Sequence, residues 1–123
     1  MSHDKVRIVD LAVTGIIGIK PDERVNSQQI LINATMWVDT SAAAASDDIE
    51  DAANYRTITK ALIAHIEQGN PLLVERLVQE LADLILAIEP LVQEVEVSVE
   101  KPSALRQARS VGITIHRSRV DKT

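Results

Sequence analysis

An α+β fold is predicted, with a four-stranded antiparallel sheet and two long helices packed on one face. Two observations point to it. Apolar residues recur with a period of two in segments near both ends of the chain, and at helical spacing in two longer segments between them. The resulting order is β-β-α-α-β-β. It suits an antiparallel sheet covered on one side better than an alternating parallel one.

Val6, Ile8 and then Leu11 to Ile19 form the first strand, ending near Gly15 and Gly18. Lys20-Pro21-Asp22-Glu23-Arg24 is a polar turn. Ile30, Ile32, Ala34, Met36 and Val38 alternate with polar neighbours and make a half-buried second strand, so the first two strands form a hairpin. Ser41 to Ala45 is short and alanine-rich, and Ser46-Asp47-Asp48 can cap a helical turn running to Asp51. Tyr55 to Gln68 carries Ile58, Ala61, Leu62 and Ile66 at helical spacing, with Gly69 expected at the C′ position. Asn70-Pro71 reads as an N-cap followed by proline at the first helical position. The second helix carries Leu73, Val74, Leu77, Val78, Leu81, Leu84, Ile85 and Ile88, and Pro90 marks its end. Val95, Val97 and Val99, then Val111, Ile113 and Ile115, alternate with polar residues as the last two strands. Such a sheet has two open edges, which invite pairing with other chains.

The chain has 123 residues, which suits one domain, 1–123, with an ordered core over about 5–117. It lacks Phe, so the core must be built from Leu, Ile, Val and Ala. A net charge of -5 argues against a general nucleic-acid binder, and Arg106, Arg109, Arg117 and Arg119 are spaced among acids rather than gathered. Without Cys there are no disulfides or thiolate metal sites. The polar start, Met1 to Lys5, shows no basic-then-apolar leader, and no apolar run reaches membrane-spanning length. A cytoplasmic location is expected.

His3, His65 and His116 do not share metal-ligand spacing, so no metal site is expected. Phosphate-loop, dinucleotide and serine-hydrolase motifs are absent. What remains is polar residues at element boundaries: Glu23 in the turn after Gly18, Tyr55 at the start of the first long helix, Glu75 in the first turn of the second, and Lys101 at the end of the third strand. Each has a bland explanation. Glu75 can complement a helix N-terminus, Lys101 can be an exposed strand end, Glu23 a turn carboxylate and Tyr55 a rim aromatic.

Taken in order, the segments resemble a known family. They are Gly15-Ile16-Ile17-Gly18-Ile19, Asp22-Glu23-Arg24, Gln28 and Ile32-Asn33; then Ser46 to Asp51, Asn54-Tyr55-Arg56-Thr57 and Leu73-Val74-Glu75-Arg76-Leu77; finally Val99 to Leu105 and Ser110 to Ile113. Over roughly residues 5 to 117 the chain resembles the dihydroneopterin aldolase/epimerase family. The resemblance implies the tunnelling fold, with rings of four subunits closing a sixteen-stranded barrel, two rings stacking into an octamer, and active sites between neighbouring subunits.

It also implies the site. Glu75 would anchor the amino-pyrimidinone edge of a reduced pterin by two charge-assisted hydrogen bonds, in a slot lined by Leu73, Val74, Asn54 and Ala53. Lys101 would move the 2′-hydroxyl proton, a role that partial burial suits. Glu23 would orient Lys101 or a water. Tyr55, from the adjacent subunit, would handle the proton at the reacting carbon. The pterin ring is its own electron sink for a retro-aldol cleavage, so no cofactor is expected. Dihydroneopterin aldolase of folate biosynthesis is the favoured activity. The triphosphate 2′-epimerase branch is the alternative, because Asn54 to Lys60 and Lys101 to Arg106 resemble it too. A non-catalytic pterin- or purine-binding ring protein stands as a third possibility, since fold alone does not decide function.

Overall fold

The computed structural model describes residues 4–119; His3 lies outside them. Strand β1 (Asp4–Gly15) is followed by a short helix α1 (Pro21–Val25) and strand β2 (Gln28–Val38). Helix α2 (Ser41–Ser46) and a 3₁₀ turn (Ile49–Asp51) lead into the long helices α3 (Tyr55–Gln68) and α4 (Val74–Ile88). Strands β3 (Glu94–Lys101) and β4 (Val111–Ser118) close the order. All neighbouring strands are antiparallel, in the spatial order β1-β2-β3-β4, which leaves β1 and β4 as the edges.

The core lies between one sheet face and the two long helices. Its sheet side is a set of apolar rows across the strands, such as Leu11–Ile32–Val99–Ile113. Its helix side is Ile58, Leu62 and Ile66 from α3, with Leu77, Val78, Leu81, Ala82, Ile85 and Leu86 from α4. These buried residues are aliphatic, as the lack of Phe requires. Each fully buried Leu or Ile contributes roughly 1.5–3 kcal/mol.

Strand β1 changes face partway along. Val6 and Ile8 point to the core with even numbers, and Leu11 and Val13 with odd ones. Between the pairs Ile8–Ala34 and Leu11–Ile32, two residues of β1 stand opposite one of β2. The extra residue is accommodated by Asp10, whose φ of 54° is left-handed, and its N–H donates to Asn33 Oδ1 at 2.8 Å. A bulge thus resets the phase of the alternation and keeps the whole edge strand's apolar set on the core side.

Four local expectations are corrected. The first strand stops at Gly15 rather than Ile19, where a Cβ would collide with Ile66 on α3. The polar turn is helical, started by Pro21 at N1 and by Glu23 folding back onto the Lys20 N–H. Asn70 and Pro71 do not begin the second long helix, which starts at Val74 with Leu73 in the cap position. Their carbonyls are instead held from outside by Arg24. Gly69 does follow the last residue of α3, but with φ -98° and ψ 172°, not the left-handed conformation of a C′ glycine.

Candidate active site

Lys101 continues the odd-numbered face of β3 that buries Val95, Val97 and Val99. Period two therefore aims its side chain to the helix side, just past the end of the core. There it meets Glu23: Lys101 Nζ lies 2.9 Å from Glu23 Oε2, with only 12% and 20% of the two side chains exposed. A lysine at a strand end is ordinarily solvated, so this partly buried pairing is specific.

The loop and helix before β2 are built around that carboxylate. Oε1 of Glu23 accepts the Lys20 N–H at 3.2 Å, and Oε2 also receives Gln28 Nε2 at 3.5 Å. The same amide donates to the Ile17 carbonyl at 2.9 Å, tying the loop to the start of β2. Gly18 has φ +129°, and a Cβ there would lie inside the Glu23 carboxyl group. Only glycine gives both the conformation and the space. The Lys101 ammonium, and after it the Lys20 N–H, hold the Glu23 carboxyl below the usual carboxylate range.

Arg24, next to Glu23, reaches the segment that leads into α4. Its guanidinium donates to the carbonyls of Gly18 at 2.8 Å, Pro71 at 3.0 Å and Asn70 at 2.7 Å. Beyond that segment, Val74 and Glu75 form the first turn of α4. Glu75 is exposed and has no hydrogen-bond partner among the described residues. Leu72 and Leu73 beside it are more than half exposed, while Val74 packs against the core. An acceptor flanked by bare leucines is open here rather than enclosed in an apolar slot. An adjoining cleft is lined by Gly69 to Leu73 with His65, Arg76 and Glu80. Arg76, and after it His65, keep Glu80 below the usual carboxylate range.

Tyr55, Asn54 and Ala53 lie at the other end. Tyr55 is 59% exposed at the first position of α3. Asn54 is the N-cap, its Oδ1 accepting from the N–H groups of Arg56 and Thr57 at 3.1 and 3.2 Å. Ala53 packs against the core, and the Asn54 N–H donates to Glu89 Oε2 at 3.4 Å. The 14 residues of α3 separate this corner from the Arg24 corner by about 21 Å. Within one chain the structure thus brings Glu23 and Lys101 together, places Leu73, Val74 and Glu75 on the segment tied to them by Arg24, and leaves Tyr55, Asn54 and Ala53 apart.

The sequence assigned no role to Gln28 or Arg24. Their partners are backbone carbonyls and a carboxylate reached through folding, and their closeness to Glu23 and their place among the family-like segments were the hints in the sequence. No group of acids and histidines able to hold a metal occurs among the described residues, nor any helix long and apolar enough to cross a membrane.

A model of the dihydroneopterin aldolase family matches residues 6–116. The chain is 47% identical over 111 residues to dihydroneopterin triphosphate 2′-epimerase of Pseudomonas aeruginosa, across 90% of this chain and 89% of that protein. It is 35% identical over 114 residues to dihydroneopterin aldolase of Haemophilus influenzae, across 93% and 96%. The crystal structure of Escherichia coli dihydroneopterin aldolase in complex with neopterin superposes with a TM-score of 0.90 at 34% identity, across 94% of this chain and 99% of that one.

Proposed function

The chain belongs to the dihydroneopterin aldolase family of enzymes, and from that premise we propose that it catalyses a retro-aldol reaction on the side chain of a dihydropterin. The observation that carries this reading is the preformed Lys101–Glu23 pair. A protein that merely bound a pterin or purine would need only an acceptor such as Glu75 and an apolar surface. A partly buried lysine held by a carboxylate is the equipment of proton transfer.

In the proposed reaction Glu75 accepts the two N–H donors of the pterin edge, and Leu73 and Val74 contact the ring. Lys101, in its neutral amine form and held by Glu23, takes the 2′-hydroxyl proton through water and becomes the ammonium. The C1′–C2′ bond breaks, its electrons move into the conjugated N5=C6 bond, and an aldehyde forms from C2′ and C3′. Protonation at C1′, assigned to Tyr55, gives the hydroxymethyl pterin. If the aldehyde turns before C1′ is protonated, the bond re-forms on its other face and C2′ is inverted. One site thus supports cleavage and epimerisation.

The similarities weigh toward 2′-epimerisation of dihydroneopterin triphosphate, at 47% identity against 35% for the aldolase relative. Aldolase action on dihydroneopterin in folate biosynthesis is the second reading, supported by the family model and by the superposition on the neopterin complex. For the triphosphate, the aldehyde fragment carries C3′ and its phosphates, so retention of that fragment decides which outcome prevails.

The same proposal includes the assembly. The open edges β1 and β4, the bare Leu72, Leu73 and Tyr55, and the separation of Tyr55 from Lys101 all support a ring in which Tyr55, Asn54 and Ala53 of one subunit complete the site of the next. Stacking of two four-membered rings into an octamer and a cytoplasmic location belong to this reading. Incubation with dihydroneopterin triphosphate and with dihydroneopterin, followed by chiral chromatography, tests it. Inversion at C2′ of the triphosphate faster than aldehyde release is expected. Loss of the side chain as the main product would favour the aldolase, and no change in either compound would overturn both.

A further inference from the structure

We infer that Arg24 is a positioning residue that locks the proton-transfer pair to the ring-anchor segment, an inference that rests on the pterin reading above. One guanidinium holds three carbonyls on two segments far apart in sequence: Gly18 at 2.8 Å on one side, Asn70 at 2.7 Å and Pro71 at 3.0 Å on the other. Gly18 is the residue whose conformation makes room for the Glu23 carboxyl group. Asn70 and Pro71 lead through Leu72 and Leu73 into the helical turn that carries Glu75. The one other hydrogen bond between these segments among the described residues is Gly18 N–H to the Pro71 carbonyl, at a long 3.4 Å.

Arg24 has acids on its own helix, Asp22 and Glu23, yet no carboxylate pairs with it among the described residues. Its charge is committed to backbone carbonyls. That use needs a planar fork with several fixed donors, which a lysine lacks. The consequence is geometric. A pterin anchored at Glu75 offers its 2′-hydroxyl to Lys101 only if the separation of the two segments is set, and a displacement of about 1 Å can cost about 100-fold in rate. Arg24 sets that separation without touching the substrate.

The test uses Arg24→Ala and Arg24→Lys in the assembled protein, each alone and combined with Lys101→Ala. Hydrogen–deuterium exchange should quicken in peptides covering residues 16–20 and 70–75 while the sedimentation coefficient stays that of the wild type. Turnover of dihydroneopterin triphosphate should fall about 100-fold, with neopterin affinity changed less than about fivefold. Arg24→Lys should stay impaired, and guanidinium ion at subdenaturing concentration should partly restore Arg24→Ala. With Lys101→Ala already present, losing Arg24 should cost less than about threefold, because positioning a base that is absent has no further effect. Equal losses in both backgrounds, or turnover within about threefold of wild type, would overturn the inference. If Arg24→Ala does not assemble, Arg24→Lys carries the same cycle. A wild-type protein that turns over neither pterin defeats the proposed activity, and unchanged exchange in the two segments then separately defeats the role of Arg24.

Discussion

Lys101 and Glu23, 78 positions apart in sequence, form an ion pair at 2.9 Å between the end of β3 and the short helix before β2. The contact joins the two halves of the chain at the corner where the proposed chemistry takes place, and it makes stability there depend on pH.

The Glu23 carboxyl is held low in the folded chain by Lys101 and the Lys20 N–H, and returns to the ordinary carboxylate range on unfolding. A depressed carboxyl stabilises the fold fully above the unfolded pKa and loses that contribution as pH falls through the folded one. Glu23→Gln should therefore be less stable than wild type at pH 7, with the difference shrinking as pH drops below about 4. Urea midpoints of both proteins between pH 3 and 7 check this. A gap that widens toward acid would contradict the sign.

Glu75→Gln should weaken neopterin binding by about 2–4 kcal/mol, because a carboxylate accepting two charge-assisted bonds becomes an amide with one mismatched donor. The fold should be little affected, since the Glu75 side chain is exposed and makes no hydrogen bond among the described residues. Calorimetry giving unchanged affinity would remove Glu75 from the anchor role.

Lys101→Ala should lower turnover by roughly 10²–10⁴-fold with a much smaller effect on neopterin affinity. Tyr55→Phe should slow cleavage and leave binding intact. Because Tyr55 begins α3, a helix about 21 Å long whose other end leads to the Arg24 corner, the proposed site takes the two residues from different subunits. Mixing the two inactive variants under exchange conditions should restore a fraction of sites with both wild-type residues. Proven exchange without returning activity would reduce Tyr55 to a rim residue.

Arg119 caps the end of α4, donating to the carbonyls of Leu86 at 2.9 Å, Glu89 at 3.1 Å and Val92 at 2.5–3.2 Å. Cations at a helix C-terminus are favourable, and these bonds are charge-assisted. Arg119→Ala should destabilise the protein by about 2–4 kcal/mol, read as a lower denaturation midpoint with an unchanged slope. A loss under about 0.5 kcal/mol would show that solvent replaces the clamp at little cost.

The order of the four strands and two long helices, and the buried face of each, were legible in the sequence. Val95, Val97 and Val99, or Ile58, Leu62 and Ile66, announce their structure because backbone geometry ties side-chain direction to spacing within a few residues. An ordered set of segments also pointed to the family and to Glu23, Tyr55, Glu75 and Lys101. The tertiary structure decided the rest. Asn70-Pro71 has the local signature of a helix start, yet Arg24 takes its carbonyls and the helix waits until Val74. Asp10 is left-handed because β2 offers one residue opposite two. Lys101 meets Glu23 because the sheet register and the loop around Gly18 bring them to one corner, while Tyr55 is held at the opposite end by the length of a helix. Local periodicity carries no information about which distant groups will meet; that is set by how the apolar faces pack, and the polar residues at the ends of the elements are placed by that packing.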